Sequence, residues 1–214
     1  MSFAPAGMIQ YATPTGATSS DLPVSATASF TTGTDMLTVV LSNLSADPRS
    51  VGQNLSGLSF ALSTGQSAGV LLSSSATERT VFSGGSYSDT SGDVSTGWEL
   101  KTAGSLLQLT LLGTPEAPDH TILGPADPIS GYYDNANSSI AKNNGPHNPF
   151  INQSATFVLS IPGLTDSSSV TGVVFSFNTA AGYDVIGVPE PATMALLATA
   201  GAVFVSRRGR VRRG

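Results

Sequence analysis

The sequence predicts an all-β fold, an antiparallel β-sandwich with jelly-roll-like winding, followed by a single hydrophobic helix near the C-terminal end. Apolar residues recur at every second position over short runs, and Gly, Pro, Asn and Asp interrupt these runs. No long stretch of the body has helical periodicity. Short strands without crossover helices are typical of antiparallel sandwiches. Residues 7–187 are therefore expected to form one β-domain.

Six runs carry the alternation most clearly. Each run places apolar side chains on one face of a strand and mostly Ser or Thr on the other. In chain order the apolar positions are Val24, Ala26, Ala28 and Phe30; Leu37, Val39 and Leu41; Leu58, Phe60 and Leu62; Leu107, Leu109 and Leu111; Ala155, Phe157, Leu159 and Ile161; and Val173, Phe175 and Phe177. Thr32-Gly33-Thr34-Asp35 and Ser83-Gly84-Gly85-Ser86 have the composition of turns between strands.

Composition excludes several classes of site. The 214 residues include no cysteine, which removes disulfides, thiolate metal sites and cysteine nucleophiles together. Up to Glu190 the chain has 14 acidic residues against four basic ones, a net charge of −10. A body this acidic repels the phosphates of nucleic acids, so no nucleic-acid partner is expected.

The segment 188–214 has three parts in a fixed order. Pro189, Glu190 and Pro191 come first, an uncharged run over 192–206 follows, and an arginine-rich tail occupies 207–214. The arginines are Arg207, Arg208, Arg210, Arg212 and Arg213. As a helix the run is about 22 Å long, short of a hydrocarbon layer of roughly 30 Å, and inserts with thinning of the bilayer.

The prolines keep residues 189–191 out of that helix, so Glu190 is expected in an exposed, extended link that a protease can reach. The arginines orient the C-terminus toward the cytoplasm and the body outside. The alternative is a buried helix with a solvated basic end. Five unpaired arginines argue against that alternative.

Pro189, Glu190 and Pro191, the apolar run and the arginine tail resemble the PEP-CTERM sorting signal of exported bacterial proteins, which an exosortase recognises in the membrane. The resemblance implies export, anchoring in the membrane, removal of the tail, and release to the cell surface or the exopolysaccharide matrix. Its implied partners are an exosortase-type protease, the membrane and exopolysaccharide. The pieces 96–99, 131–137 and 145–150 also resemble a group of uncharacterised PEP-CTERM β-proteins.

The first residues leave two interpretations open. Residues 1–10 contain no Lys or Arg and no apolar stretch, so they do not form a signal peptide by themselves. Ala4-Pro5-Ala6 nevertheless has the small-x-small form of a signal-peptidase site. Residues 1–6 are then the remnant of a signal peptide that starts upstream, or a terminal segment with two chance alanines.

The span 113–150 departs from the strand rhythm and is rich in Pro and Asn, as functional or disordered loops often are. It contains a candidate ligand loop with oxygen ligands suited to Ca²⁺ and aromatic rings suited to a sugar. The candidates are Tyr132, Tyr133, Asp134, Asn135, Asn137 and His147. Ala136 stands where a calcium loop needs an oxygen ligand, which favours an irregular connection without a metal or cofactor.

One catalytic pattern occurs. Residues 65–69 fit G-x-S-x-G around Ser67, and Asp119 and His147 follow in the order of a serine hydrolase. A chain rich in Ser and Gly produces this pattern by chance, and no helix is predicted after Ser67, as a nucleophile elbow requires. A non-enzymatic envelope or matrix protein is therefore favoured. The alternatives are a carbohydrate-binding module using Tyr132, Tyr133 or Trp98, and the hydrolase.

Overall fold

The computed structural model describes residues 8–141 and 146–190, and this part of the chain is all-β. Its only helical segment is a 3₁₀ turn at Val51–Gln53. In chain order the strands are β1 (Met8–Ala12), β2 (Thr18–Ser19), β3 (Leu22–Pro23), β4 (Ala26–Gly33), β5 (Met36–Asn43), β6 (Leu55–Leu62), β7 (Val70–Ser75), β8 (Glu78–Val81), β9 (Tyr87–Asp89), β10 (Glu99–Ala103), β11 (Leu106–Thr110), β12 (Ile122–Leu123), β13 (Phe150–Asn152), β14 (Ser154–Ser160), β15 (Val170–Phe177), β16 (Asp184–Ile186) and β17 (Val188–Pro189).

Three of the segments predicted from the sequence are not among the described residues. The hydrophobic helix over 192–206, the arginine tail over 207–214 and the signal-peptide remnant over 1–6 lie outside the described residues. Within 8–141 and 146–190, no helix has the length and apolar character needed to cross a membrane.

Two large sheets form the body. A six-stranded sheet has the order β17-β1-β4-β5-β14-β7, and a nine-stranded sheet runs β10-β11-β6-β12-β13-β8-β9, with β15 and β16 added beside β6. The rings of Phe30, from the first sheet, and Phe60, from the second, lie 5.1 Å apart. Trp98 and Phe157 pack together in the same core at 5.3 Å. The sheets therefore pack face to face around one main core.

The six predicted runs are confirmed as core-facing positions. Phe30 is fully buried in β4, Phe60 in β6 and Phe157 in β14, each with Ser or Thr among its outward neighbours. Trp98 was expected in the core and is 3% exposed. Alternation identified these strands because a strand with one buried face repeats its environment every two residues.

Four hairpins connect strands that follow one another in the chain. The hairpins β4–β5, β8–β9, β10–β11 and β15–β16 each keep both of their strands in one sheet. The turn residues explain the hairpins, since Asp35 (φ 56°) and Gly104 (φ 64°) adopt the positive φ that tight hairpins need. The pair β12–β13 is parallel, and the other strand pairs of the described chain are antiparallel.

The span 113–150 forms a second, smaller core. Apart from β12 and the start of β13 its described residues are irregular, as predicted, yet several are buried against the end of the nine-stranded sheet. We call this group the loop cluster: Val51, Val81, Leu123, Tyr133, Ile140, Ala141 and Phe150. A long loop with its own apolar contacts is a packed element of the fold.

Candidate functional site

The last described residues continue the fold as an edge strand. Strand β17 pairs antiparallel with β1, so that Val188 lies opposite Ala12 and Pro189 opposite Tyr11. Proline donates no backbone hydrogen bond, and an edge strand is the position within a sheet where this absence is tolerated. The body therefore ends in a short strand that its first described strand holds.

Glu190 extends this pairing by two hydrogen bonds. Its backbone N–H donates to the carbonyl oxygen of Gln10 at 3.0 Å, and its carboxylate Oε1 accepts from the Gln10 amide at 3.1 Å. Its side chain is half-buried. The sequence predicted an exposed link here, and that interpretation is wrong for Glu190 because alternation gives no signal for a two-residue strand.

The approach to β17 joins the two sheets. Strand β16 belongs to the nine-stranded sheet and β17 to the six-stranded sheet, with Gly187 between them. The N–H of Gly187 donates to Val173 O at 2.8 Å, and a Cβ at Gly187 would lie 2.9 Å from the Phe175 ring. Only glycine fits at so close an approach. We call Gly187–Glu190 the seam, and its contacts fix the direction in which the chain leaves the body.

Tyr11 of β1 also connects the two sheets near the seam. Its hydroxyl donates to the carbonyl oxygen of Val170 at 2.8 Å, which connects β1 with β15. Burial raises the pKa of the Tyr11 phenol, so this group stays protonated and continues to donate.

Residues 187–213 match the model of the PEP-CTERM protein-sorting motif. The C-terminal segment of this chain is a PEP-CTERM protein-sorting motif. Such a motif marks an exported protein that an exosortase sorts, so the predicted sorting signal is confirmed and the seam at Gly187–Glu190 is its first part. Its remaining residues, Pro191 and the five tail arginines included, lie outside the described residues. No curated protein and no solved structure matches the chain.

The candidate ligand loop is divided by burial. Tyr132 is 48% exposed, whereas Tyr133 is 1% exposed and packs in the loop cluster. The Tyr133 hydroxyl donates to Gly124 O and accepts from Arg79 Nη1, each at 2.9 Å. Burial raises the pKa of Tyr133 to about 12. Neither Tyr133 nor the buried Trp98 can stack on a sugar, and Tyr132 keeps an open face.

The polar residues of that loop shape turns. The Asn135 amide donates to Asp47 Oδ2 at 2.6 Å, and Asn137 Oδ1 accepts from the N–H and the hydroxyl of Ser139. Asp134 is exposed. The described residues contain no set of three His, Asp or Glu suited to a metal ion.

A buried ion pair anchors the loop, and the sequence interpretation missed it. Arg79 is 4% exposed, and its Nε and Nη2 donate to the two carboxylate oxygens of Asp89, each at 2.7 Å. The guanidinium lies over the Tyr87 ring at 3.7 Å. Burial lowers the pKa of Arg79, but its bonds to Asp89 and Tyr133 outweigh burial and leave the pKa above its ordinary value. An arginine at an inward position of β8, two residues before Val81, was the available signal.

The three hydrolase candidates are Ser67, Asp119 and His147. Ser67 precedes strand β7 instead of a helix, and its carbonyl oxygen accepts from the Thr102 hydroxyl at 2.7 Å. Burial raises the pKa of Asp119, while the neighbouring His120 opposes that rise. His120 itself faces Glu78 at 3.0 Å. Within 8–141 and 146–190, no hydrogen bond joins Ser67, Asp119 and His147.

Proposed function

We propose that the chain is a non-enzymatic β-domain protein of the bacterial cell envelope or its exopolysaccharide matrix. In this proposal the tail anchors the exported body in the membrane, and an exosortase-type protease then removes the tail and releases the body. The position of the motif carries the proposal, because it begins at Gly187, directly after the last strand of the nine-stranded sheet. A signal placed there can be removed without opening the main core.

The pairing of β17 with β1 supports a cut on the C-terminal side of Glu190. A protease binds the segment it cuts in an extended form, separated from other strands. Val188 and Pro189 are held in the sheet, and Glu190 is held by Gln10, so a cut among them requires local unfolding first. A cut after Glu190 leaves the seam between the sheets intact.

The arrangement of the body supports a binding or structural role over catalysis. A nucleophile elbow needs a helix directly after its serine, and β7 follows Ser67. A catalytic base must also come within hydrogen-bond reach of its nucleophile. No such contact connects Ser67 with His147 in the described part of the chain.

Intact mass and C-terminal peptide mapping test the proposal on protein recovered from the membrane, surface and medium fractions of the producing cell. We expect a released form in the surface or medium fraction whose last residue is Glu190 or a residue shortly after it. A matched variant replaces the five tail arginines by glutamine, and we expect less of it to be anchored in the membrane and its tail to be removed more slowly.

Two results would contradict the proposal in different parts. A chain that ends at Gly214 and stays in the membrane fraction would show a permanent anchor and remove the processing step. A released chain that ends before Gly187 would refute the position of the cut, since β17 would be missing from the mature protein.

A further inference from the structure

The outer face of the nine-stranded sheet contains a shallow groove near β16. Two rows of residues cross four strands there. One row is Thr110, Gly57, Ser176 and Asp184, and the other is Gln108, Ser59, Val174 and Ile186. The cavity above them measures about 250 Å³. It lies on the face opposite the main core, so a ligand can enter it without disturbing the fold.

Gly57 produces the depression. It lies between Thr110 and Ser176 in the first row and contributes no side chain. A Cβ at Gly57 would lie 3.1 Å from the Cβ of Ser176, tighter than an ordinary contact. The turn between β15 and β16 forms one wall, where Phe177 N donates to Tyr183 O at 2.9 Å and fixes the turn. The groove is therefore built by the fold.

Several polar groups in the groove keep unused hydrogen-bonding capacity. Within the described residues, the Gln108 amide and the Ser59 hydroxyl have no hydrogen-bond partner. Asp184 accepts from the Ser176 hydroxyl through Oδ1 at 2.6 Å, which leaves Oδ2 open. Thr110 Oγ1 accepts from Leu112 N at 3.1 Å, so its own hydrogen remains available to donate. An amide, a carboxylate and hydroxyls together offer both donors and acceptors.

Charge and apolar surface narrow the class of ligand. Among the described residues, Asp184 is the one acidic side chain lining the cavity and no Lys or Arg lines it, so the negative charge of a phosphate or carboxylate would have no cation to balance it. Val174 and Leu106 provide apolar surface beside the polar groups. A ring that carries several hydroxyls and C–H faces matches this mixture, because hydroxyls donating to a carboxylate form strong hydrogen bonds. The volume falls below the roughly 300 Å³ of sites that enclose a whole small molecule, and it fits one or two rings of a longer chain.

From these contacts we infer that the groove of Ser59, Gln108, Thr110, Ser176 and Asp184 binds a neutral polysaccharide. The choice of a polysaccharide as the ligand rests on the proposed function, in which the released protein meets the exopolysaccharide matrix. The choice of the site rests on the groove. It differs from a site at the exposed Tyr132 of the long loop, which lies on another part of the molecule.

Binding to immobilised polysaccharides tests the groove. The protein recovered from its producer is compared on neutral, anionic and cationic polysaccharides, including the neutral fraction of the producer's own extracellular polymer. We expect binding to the neutral polymers. Asp184→Asn should weaken it about tenfold by loss of a charged acceptor, and Ser59→Leu should abolish it by filling the cavity. Asp93→Asn makes the same charge change at an exposed carboxylate outside the groove and should bind like the unchanged protein.

Each opposing outcome has a distinct meaning. Equal binding by all three variants, with unchanged thermal unfolding, would overturn the groove as the site. Binding to the anionic or the cationic polymers alone would overturn the ligand class. Normal release of a processed protein that binds no neutral polymer would refute this inference and leave the proposed sorting function standing.

Discussion

The main core and the loop cluster are both buried, but different interactions hold them. The main core joins two sheets through apolar side chains on regular strands, and its backbone polar groups are satisfied by strand pairing. The loop cluster has seven buried apolar residues, of which only Val81, Leu123 and Phe150 lie on strands, each at the end of its strand. It needs Arg79, Tyr133 and backbone contacts to fix its conformation. Regular backbone thus needs only a pattern of apolar residues, whereas irregular backbone needs specific polar anchors.

The anchors of the loop cluster connect segments that are far apart in sequence. Tyr133 N donates to Gly85 O at 2.9 Å, and a Cβ at Gly85 would lie 2.5 Å from Tyr133 O. The Asn148 side chain bonds both backbone groups of Val81, at 3.0 and 3.2 Å. Each contact ties the long loop to the β8–β9 hairpin. The conformation of the loop therefore depends on the hairpin.

The largest predicted effect comes from replacing one buried phenylalanine by alanine, separately in each of the two regions. Phe60 in the main core and Phe150 in the loop cluster are both fully buried. We expect Phe60→Ala to lower the free energy of unfolding by about 3–5 kcal/mol, and Phe150→Ala by about 2–3 kcal/mol, because the irregular segments packed around Phe150 relax around a cavity more readily than the two sheets around Phe60. Denaturant unfolding measures both values.

Hydrogen exchange distinguishes the two variants further. Phe150→Ala should speed exchange in 113–141 while β4 and β5 stay protected, and Phe60→Ala should speed exchange throughout. Loss of protection in β4 and β5 in the Phe150 variant would show that the two cores unfold as one unit.

Removing the buried charge should have the next largest effect. Arg79→Met keeps an apolar stem but deletes the bonds to Asp89 and Tyr133, and the Asp89 side chain is 31% exposed, so water replaces part of what is lost. We expect a loss of about 2 kcal/mol. Arg49→Met is the control, since Arg49 is exposed, and it should change stability by less than about 0.5 kcal/mol. Equal stability of both variants would remove Arg79 from its anchoring role.

The sequence predicted the long, alternating strands of the main core better than the short strands whose positions depend on distant contacts. Phe30, Val39 and Phe157 were identified as core because a strand pairs regular backbone with a repeating environment. The short strands β12, β16 and β17 were missed, since two or three residues contain no full period. Their positions depend on neighbours distant in sequence, such as Gln10 for Glu190.

The candidate sites show the same limit. The sorting motif was predictable because its three parts lie in order along the chain. Tyr132 and Tyr133 were indistinguishable in the sequence, and only the fold buries one of them. The groove residues Gln108, Ser59 and Asp184 come from three strands, and each alone reads as an ordinary outward side chain of a sheet.

Raising the pH should loosen the loop cluster before the main core. Burial raises the folded pKa of Tyr133 to about 12, against 10.0 in the unfolded chain. The neutral phenol therefore contributes stability that is fully present below pH 10 and is lost as pH rises through about 12. Tyr133→Phe should cost about 1 kcal/mol at neutral pH by deleting one hydroxyl, and it should flatten the stability profile between pH 10 and 12.

Absorbance titration of the tyrosines checks this directly. The unchanged protein should show two tyrosines that ionise late, Tyr133 and Tyr11, because burial raises the pKa of both. The Tyr133→Phe variant should lose one of these two late steps. Loss of a step near pH 10 in that variant, with both late steps kept, would show that the Tyr133 hydroxyl is not held by Arg79 and Gly124.

The smallest predicted effect concerns the neighbouring ring. Tyr132→Phe changes an exposed side chain whose hydroxyl has no hydrogen-bond partner among the described residues, so stability should stay within about 0.5 kcal/mol of the unchanged protein. Comparison with Tyr133→Phe separates burial from residue type, because the two tyrosines are adjacent and receive the same substitution. A loss as large as that of Tyr133→Phe would mean that the outer surface of the loop is covered in solution, and it would remove the contrast between an anchored inner face and a free outer face.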